Sequence, residues 1–557
     1  MYSVMAITTQ SEFSSFIEYT KTWFNQTLKV LNIHSSLIIF ISNGCADMRC
    51  KVWSTYAPDE KTLINRLSKY FEKIYKNNKK LLDWVKIDIV YNIEKTSWSA
   101  IQNILNTQLH NNHYRKGVSF DEKFEVCFLE QEIYAKAIIK GLIYNEPNFW
   151  DEKNLNAATK AKYPLMTKKI ELDKIQALWV FDTYAYFYED GKYLTLQSRG
   201  PENGVRQVKK NQLKAHIEQL IKKNAAFLHG EILENGCFNY GYFPAYDREI
   251  KSYNTVRHCT AVYALLETLE VDFKNEYLDK IKKSIFYAIR SFYKEIDQKG
   301  FMTDGVGNTE IKLGSNAAAI FMLAKYQEIT GDHQFLTIAN KLAIGIQYMV
   351  DLNGETTHVI EYPNLQVKEK FRIVYYDGEA ALGLLRLYQL NQDPSLLDTV
   401  KLMFNHFIEK KYDQYHDHWL SYCANELTKI CPEEKYFEFG INNYLKHMLF
   451  IAERRTAYAT FLEMMMSAYK MVVRIHEAGF DQLYEKSELS ELKKLIEKRV
   501  EFQRSTGFFY PEVAMYMAKP EKILNAFYVR HDRFRTRIDD QEHNLSGYIA
   551  YQRFFEI

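Results

Sequence analysis

Lys312 to Val350 reads KLGSNAAAIFMLAKYQEITGDHQFLTIANKLAIGIQYMV, and it decides the fold. The stretch divides at Thr330-Gly331-Asp332, a helix-ending glycine followed by an N-cap aspartate. Beyond the break, Phe335, Ile338, Ala339, Leu342, Ile346 and Met349 recur on one helical face, with polar residues elsewhere. That is the pattern of an outer, half-exposed helix. Before the break, Ala317, Ala318, Ala319 and Ala324 are small enough for close approach in a crowded interior. The stretch reads as one helical hairpin with an inner and an outer arm.

Working outward, the alternation repeats. Periodicity predicts about twelve helices, near 212–229, 255–270, 274–293, 312–330, 332–350, 375–391, 394–410, 417–430, 433–450, 455–476, 487–503 and 541–553. Asp393-Pro394 places an N-cap before a proline at the first helical position. Cys431-Pro432-Glu433-Glu434 opens another helix with acids where the dipole favours them. Such tight turns alternate with longer connections, and Ala380, Ala381 and Gly383 mark another crowded inner helix. Six hairpins closed into a ring, an all-α (α/α)6 toroid over 206–557, meet these requirements.

The first part differs. Ser36 to Ser42 and Met48 to Tyr56 read as a hairpin around an Asn-Gly loop, followed by a helix from about Asp59 to Asn78. Val85 to Ile93 alternates as a strand, and Ala177 to Gly200 as strands about an Asp190-Gly191 turn. Residues 1–205 are therefore expected to form an α+β accessory domain, making the protein multidomain. Its polar residues Arg115, Asp121 and Glu130 read as surface groups.

Across all 557 residues the net charge is +2, which favours neither nucleic acid nor an acidic solvating tail. No apolar run approaches the ~20 residues of a membrane span, and the start lacks a signal-peptide pattern. The seven cysteines are scattered without metal-ligand spacing, so free thiols in a cytoplasmic protein are expected. No glycine-rich phosphate loop occurs, so no cofactor is expected.

Each long connection delivers the chain to an inner-helix start, and these starts are polar. They carry Arg257 and His258; Asn316; Asp377 and Glu379; Asp417, His418 and Trp419; Arg455 and Tyr458; then Arg537, Asp539, Asp540 and His543. In a ring of parallel inner helices these residues meet at one mouth. Gly236-Cys237-Phe238 precedes Asn239-Tyr240-Gly241-Tyr242, which offers aromatic rims at Tyr240 and Tyr242.

Residues 210–557 thus resemble the six-hairpin toroid superfamily of glycoside hydrolases, polysaccharide lyases, sugar epimerases and lanthionine cyclases. The resemblance implies a carbohydrate substrate. Hydrolysis of a glycosidic bond needs paired carboxylates, for which Asp377, Glu379, Asp417 and Asp540 are candidates. Epimerisation needs a base and an acid beside a carbonyl, which suits His258, His418 and His543. Arg257, Arg455 and Arg537 suggest an anionic sugar, or else ion pairs with the acids. The zinc set of the cyclases would call on Cys259 and Cys423, but the motifs of that family are absent, and no metal is expected. The third reading is a glycan-binding or scaffold protein without turnover.

Overall fold

The computed structural model describes residues 7, 9–33, 37–78, 83–108, 112–141, 147–304 and 309–555. The chain forms two compact units. The first comprises Met1–Lys210, Tyr242–Arg248 and Ser505–Arg535; the second comprises Asn211–Gly241, Glu249–Arg504 and Thr536–Ile557. The division is therefore not one cut near 205, because two later segments belong to the first unit.

The first unit is built on an antiparallel sheet. Its strands are β1 (Leu37–Cys45), β2 (Met48–Ala57), β3 (Trp84–Ser97), β4 (Gly117–Ser119), β5 (Cys127–Phe128), β6 (Ala177–Glu189) and β7 (Lys192–Thr195). The order is β2-β1-β3-β6-β4-β5, with β7 paired to β6. Helices α1 (Gln10–Leu31) and α2 (Glu60–Asn78) supply Phe16, Phe24, Leu63 and Phe71 to a core shared with Ile39, Ile41, Ile87 and Ile89. The alternate strand residues face the other way. There Ser42 shares a 2.7 Å hydrogen bond with Tyr516, and Lys86 pairs with Asp88 at 2.7 Å.

Asp190 and Gly191, both at positive φ, make the tight turn between β6 and β7 that their sequence predicts. The Asn43-Gly44 pair does not make the first turn, since Cys45 already pairs with Met48. Gly44 serves close approach instead: a Cβ there would lie 2.8 Å from Cys50 Cβ. Ser36, the expected strand start, lies outside the described residues.

The second unit is the ring. Its inner helices are α4 (Thr255–Thr268), α6 (Leu313–Thr330), α8 (Tyr375–Asn391), α10 (His418–Ile430), α12 (Thr460–Val472) and α14 (Ile538–Phe554). The outer helices are α3 (Leu213–Gly230), α5 (Asn275–Phe292), α7 (Leu336–Tyr348), α9 (Pro394–Glu409), α11 (Glu434–Leu445) and α13 (Leu489–Gly507). Each inner helix packs on the next, and α14 packs back on α4. The circle is closed: the fold is an (α/α)6 toroid.

Burial explains the two classes of helix. On α6 every residue from Leu313 to Tyr326 is buried, whereas α7 buries only Ala339, Leu342, Ala343, Gly345 and Ile346. An inner helix has neighbours on all sides, so it needs no polar face. Small residues set the spacing, and a Cβ on Gly383 would stand 3.2 Å from Ala317 Cα.

Several boundaries differ from expectation. Asp332 does not cap α7, which starts at Leu336; it accepts instead from Gln334 N (3.0 Å) and Tyr326 Oη (2.9 Å). The helix expected from 455 begins at Thr460, leaving Arg455 in an exposed connection. Short strands such as Tyr293–Ile296 with Lys299–Met302 stand in the long connections, where the sequence reading has loops. Four residues are too few to establish a two-residue period.

Candidate functional site

Contacts between successive inner helices place their N-termini at one end of the ring. Arg257 Nε on α4 donates to Asp539 Oδ2 on α14 (2.9 Å). A Cβ on Gly314 of α6 would lie 2.0 Å from Glu379 Oε2 of α8. One on Gly378 of α8 would lie 2.8 Å from Asp417 Oδ2, at the start of α10. His543 Nδ1 on α14 meets Glu463 Oε2 of α12 at 2.8 Å. Six positive helix ends converge there, which offsets the cost of burying several acids among them.

The mouth sorts the expected residues into those turned inward and those turned away. His258 is fully buried and faces the outer layer. Its Nε2 donates to the Ser284 carbonyl (3.0 Å) and its Nδ1 accepts from Tyr253 Oη (2.7 Å). Burial pushes its pKa down to about 4, so it is a neutral core histidine and not a ligand for substrate. Asn316 is likewise committed to backbone. Its Oδ1 accepts from Met302 N (2.8 Å) and its Nδ2 donates to Gly300 O (3.0 Å), fixing the strand Lys299–Met302 against the start of α6.

Asp377, expected as a catalytic acid, is a loop anchor. Oδ1 accepts from Thr356 Oγ1 (2.6 Å) and Oδ2 lies 3.0 Å from His358 Nε2. His358 Nδ1 takes the backbone N–H of Arg372 (2.9 Å), so its proton sits on Nε2 and is given to Asp377. The carboxylate thereby ties the 356–373 connection to the start of α8. Tyr242 belongs to the first unit, where its hydroxyl donates to Asp247 and Lys522 lies over its ring. Arg455 stands exposed, while Tyr458 is half-buried and stacks on Phe461 with ring centroids 4.8 Å apart. Asp540 is buried, and its carbonyl accepts from Asn544 (2.8 Å).

The arginines at the mouth are engaged. Arg257 holds Asp539 and donates to Tyr240 Oη (2.9 Å), and Arg537 binds the same Asp539. The ion-pair alternative describes these two. Burial works against the charge on Arg257, but Asp539 and Tyr240 outweigh it and raise its pKa.

What remains inward is a compact set around two imidazoles. His418 and His543 meet edge to face with centroids 5.1 Å apart. His418 Nδ1 lies 3.1 Å from Asp417 Oδ1, an ionic contact too oblique for a hydrogen bond. Its Nε2 has no partner among protein groups. Asp417 also caps α10, with Oδ2 accepting from Leu420 N (3.0 Å). His543 Nδ1 is held by Glu463, with Glu542 at 3.2 Å. Glu463 in turn accepts from Tyr422 Oη (3.1 Å). Beneath them Trp419 stacks on Phe321 at 5.5 Å and continues to Tyr422 at 5.7 Å, an aromatic floor.

The electrostatics are asymmetric. Burial opposes a charge on His543, but Glu542 and Glu463 prevail and raise its pKa to about 10. Burial pushes Glu542 up as well; the direction for His543 stays upward because Glu463 bonds Nδ1 directly. Burial and then Asp417 push Glu379 well above the carboxylate range, and its Oε2 has no protein partner. The mouth therefore gathers an imidazole with a raised pKa, a second imidazole whose buried Nε2 makes no hydrogen bond, and a buried carboxyl with a raised pKa.

Glu463 and Glu542 escape the sequence reading. For Glu463 the signal is a lone acid inside an apolar inner-helix run, TFLEMMMSAY from Thr460 to Tyr469; Glu542 lies among the polar residues at the start of α14. Among the described residues, His418, Glu463 and His543 also form a set whose ligand atoms lie within 4.8 Å of one another, where an ion could be held. The 2.8 Å separation of Glu463 and His543 is that of a shared proton. Cys259 and Cys423 are buried thiols with raised pKa values, the second donating to Gly378 O (2.9 Å). Among the described residues, no helix is long and apolar enough to cross a membrane.

No protein-family model matches the chain, and no curated protein sequence does either. Among solved structures, the chain is similar to a cellobiose 2-epimerase from Bacillus thermoamylovorans, at 12% identity, 62% of this chain, 100% of that chain and a TM-score of 0.47. It is similar to a sugar epimerase from a ruminal bacterium at 12% identity, 62% and 100% coverage and TM-score 0.44. An α-1,6-mannanase from Salegentibacter sp. matches at 11% identity, 60% and 98% coverage and TM-score 0.42.

Proposed function

We propose that the toroid is a carbohydrate-processing enzyme that moves a proton at the carbon beside a sugar carbonyl, as an epimerase or isomerase does. The observation that carries this reading is the facing pair His418 and His543, each with a carboxylate at Nδ1. On His543 the hydrogen bond between Nδ1 and Glu463 sets the ring orientation and leaves Nε2 for chemistry, while Asp417 stands beside His418 Nδ1 as a nearby charge. His418 acts as the base, removing the proton through its unpartnered Nε2. His543, cationic at neutral pH, acts as the acid that returns a proton or protonates the enediolate oxygen. Trp419 supplies an apolar face for the sugar ring. Arg257, the most exposed cation of the set at 36%, stands by the developing oxyanion. The substrate is a neutral sugar in this reading, since Asp539 already engages Arg257 and Arg537.

One observation favours a second reading. Glu379 is a buried carboxyl whose pKa is raised by burial and then by Asp417, the direction required of a glycosidase general acid. Its partner would be Asp417, whose Oδ2 is committed to the α10 cap. Incubation of reducing sugars in D2O separates the two. Proton transfer puts deuterium on carbon and makes no new reducing ends; hydrolysis of an oligosaccharide does the reverse. Binding without either outcome leaves the non-catalytic glycan-binding reading.

A further inference from the structure

The first unit contains a second polar site, unrelated to the ring's chemistry. A recess with about 410 Å³ of empty volume, its opening included, is lined by Arg115, Glu130, Asn203, Arg530 and Tyr134 among others. Two guanidiniums face one carboxylate there. Glu130 Oε1 accepts from Arg530 Nη2 (2.8 Å) and lies 3.1 Å from Arg115 Nη1. Its Oε2 accepts from Asn203 Nδ2 (2.9 Å). Glu130 is the only acid among the described residues lining the recess; both its oxygens are thus engaged, and one positive charge is left over among them.

The remaining bonds lead to neutral groups. Arg115 Nη2 donates to Asn203 O (2.8 Å), and Arg530 Nε to Asn112 O (2.7 Å). Arg530 also lies over the rings of Phe534 and Tyr134, at 4.9 and 5.1 Å. Two polar atoms find no partner among protein groups, Arg115 Nε and Asn203 Oδ1, while Arg115 Nη1 has only its ionic contact with Glu130 and no hydrogen bond. Asn203 is 8% exposed, and the Arg530 side chain 10%. A buried cation without a counter-charge is unfavourable, and a buried donor without an acceptor adds to that. Backbone geometry is adapted to the recess as well. Gly204, at φ +79°, sits where a Cβ would fall 2.4 Å from Gln131 Nε2.

We propose that this recess binds a small oxyanion, a carboxylate or a phosphate group, between Arg115 and Arg530. The anion supplies the missing charge and accepts from Arg115 Nε. A hydroxyl on the same ligand, or the proton of a hydrogen phosphate, donates to Asn203 Oδ1.

The test is calorimetric titration of the full-length protein with sodium acetate and, separately, sodium phosphate, at ionic strength held constant with sodium chloride. At least one of the two should give saturable, single-site binding, and the better one identifies the source of the oxyanion. Arg115→Gln should weaken that binding at least about tenfold, the loss of a charge-assisted hydrogen bond. Lys168→Gln, an exposed charge removed elsewhere on the chain, should leave it unchanged. Arg115→Lys, which keeps the charge, should fall between, and it serves if the glutamine variant does not fold. Absence of saturable binding by the wild-type protein overturns the proposal. So does equal binding by wild type and Arg115→Gln, or displacement by chloride as effective as by either oxyanion.

Discussion

Replacing Glu463 with glutamine keeps the shape of the group on His543 Nδ1 and removes its charge. In the folded protein the imidazole is raised from 6.5 to about 10. At 1.36 kcal/mol per pH unit the carboxylates favour the cation by roughly 5 kcal/mol net of burial. Glu463 bonds Nδ1 directly, so losing its charge should lower the His543 pKa. At pH 9 the wild-type imidazole is about nine-tenths protonated, and the variant should be clearly less so. The measurement is an NMR titration of the His543 ring proton, assigned by its disappearance in His543→Gln. It needs no substrate. The sign of the linked stability follows. The raised pKa contributes stability that is complete below about 6.5 and disappears as pH rises through about 10. Chemical denaturation should therefore show wild type losing stability between pH 7 and 10, and Glu463→Gln losing less. A wild-type His543 that titrates near 6.5, or one that Glu463→Gln leaves unmoved, would refute the electrostatic account of the mouth.

Asp377→Asn should lower stability by about 1–3 kcal/mol through its lost bonds to Thr356 and His358, while any turnover per folded molecule is retained; denaturant midpoints and activity together check this. Gly314→Ala should destabilise by about 1–3 kcal/mol because its Cβ overlaps Glu379 and the Tyr376 ring, and adding Glu379→Ala should recover only part of the loss in a double-mutant cycle. His258 has a pKa depressed to about 4, so the unfolded chain binds its proton first and stability should fall as pH drops from about 6.5 to 4. His258→Gln should flatten that slope in acid denaturation curves. Proton transfer between His418 and His543 needs no ion, so deuterium exchange should survive dialysis against a chelator.

The ring was legible because helical periodicity and punctuation are local. Gly331 caps its helix in the left-handed conformation, and Asp393 caps the next hairpin's outer arm, as their sequence predicts. The common mouth followed from the polar starts. Which side of a helix a polar residue takes was not legible, since it depends on neighbours far away in sequence. Asp377 and Glu379 stand two residues apart, yet Thr356 and His358 claim the first and only the second turns inward. His258 was drawn outward by Tyr253 and Ser284. Glu463 was hidden by the apolar run around it. The membership of Ser505–Arg535 in the first unit is a non-local packing event of the same kind: Glu512 binds Arg206 at 2.6 Å across 306 residues of sequence.

The central claim is that His418 and His543 exchange a proton with carbon. The direct measurement is proton NMR of mannose, glucose and cellobiose incubated with the protein in D2O. The account predicts loss of the signal at the carbon beside the carbonyl of one of them, abolished by His418→Gln and by His543→Gln, with Asp377→Asn still active. Release of new reducing ends from an oligosaccharide with no deuterium on carbon, sensitive to Glu379→Gln and indifferent to His418→Gln, would contradict it.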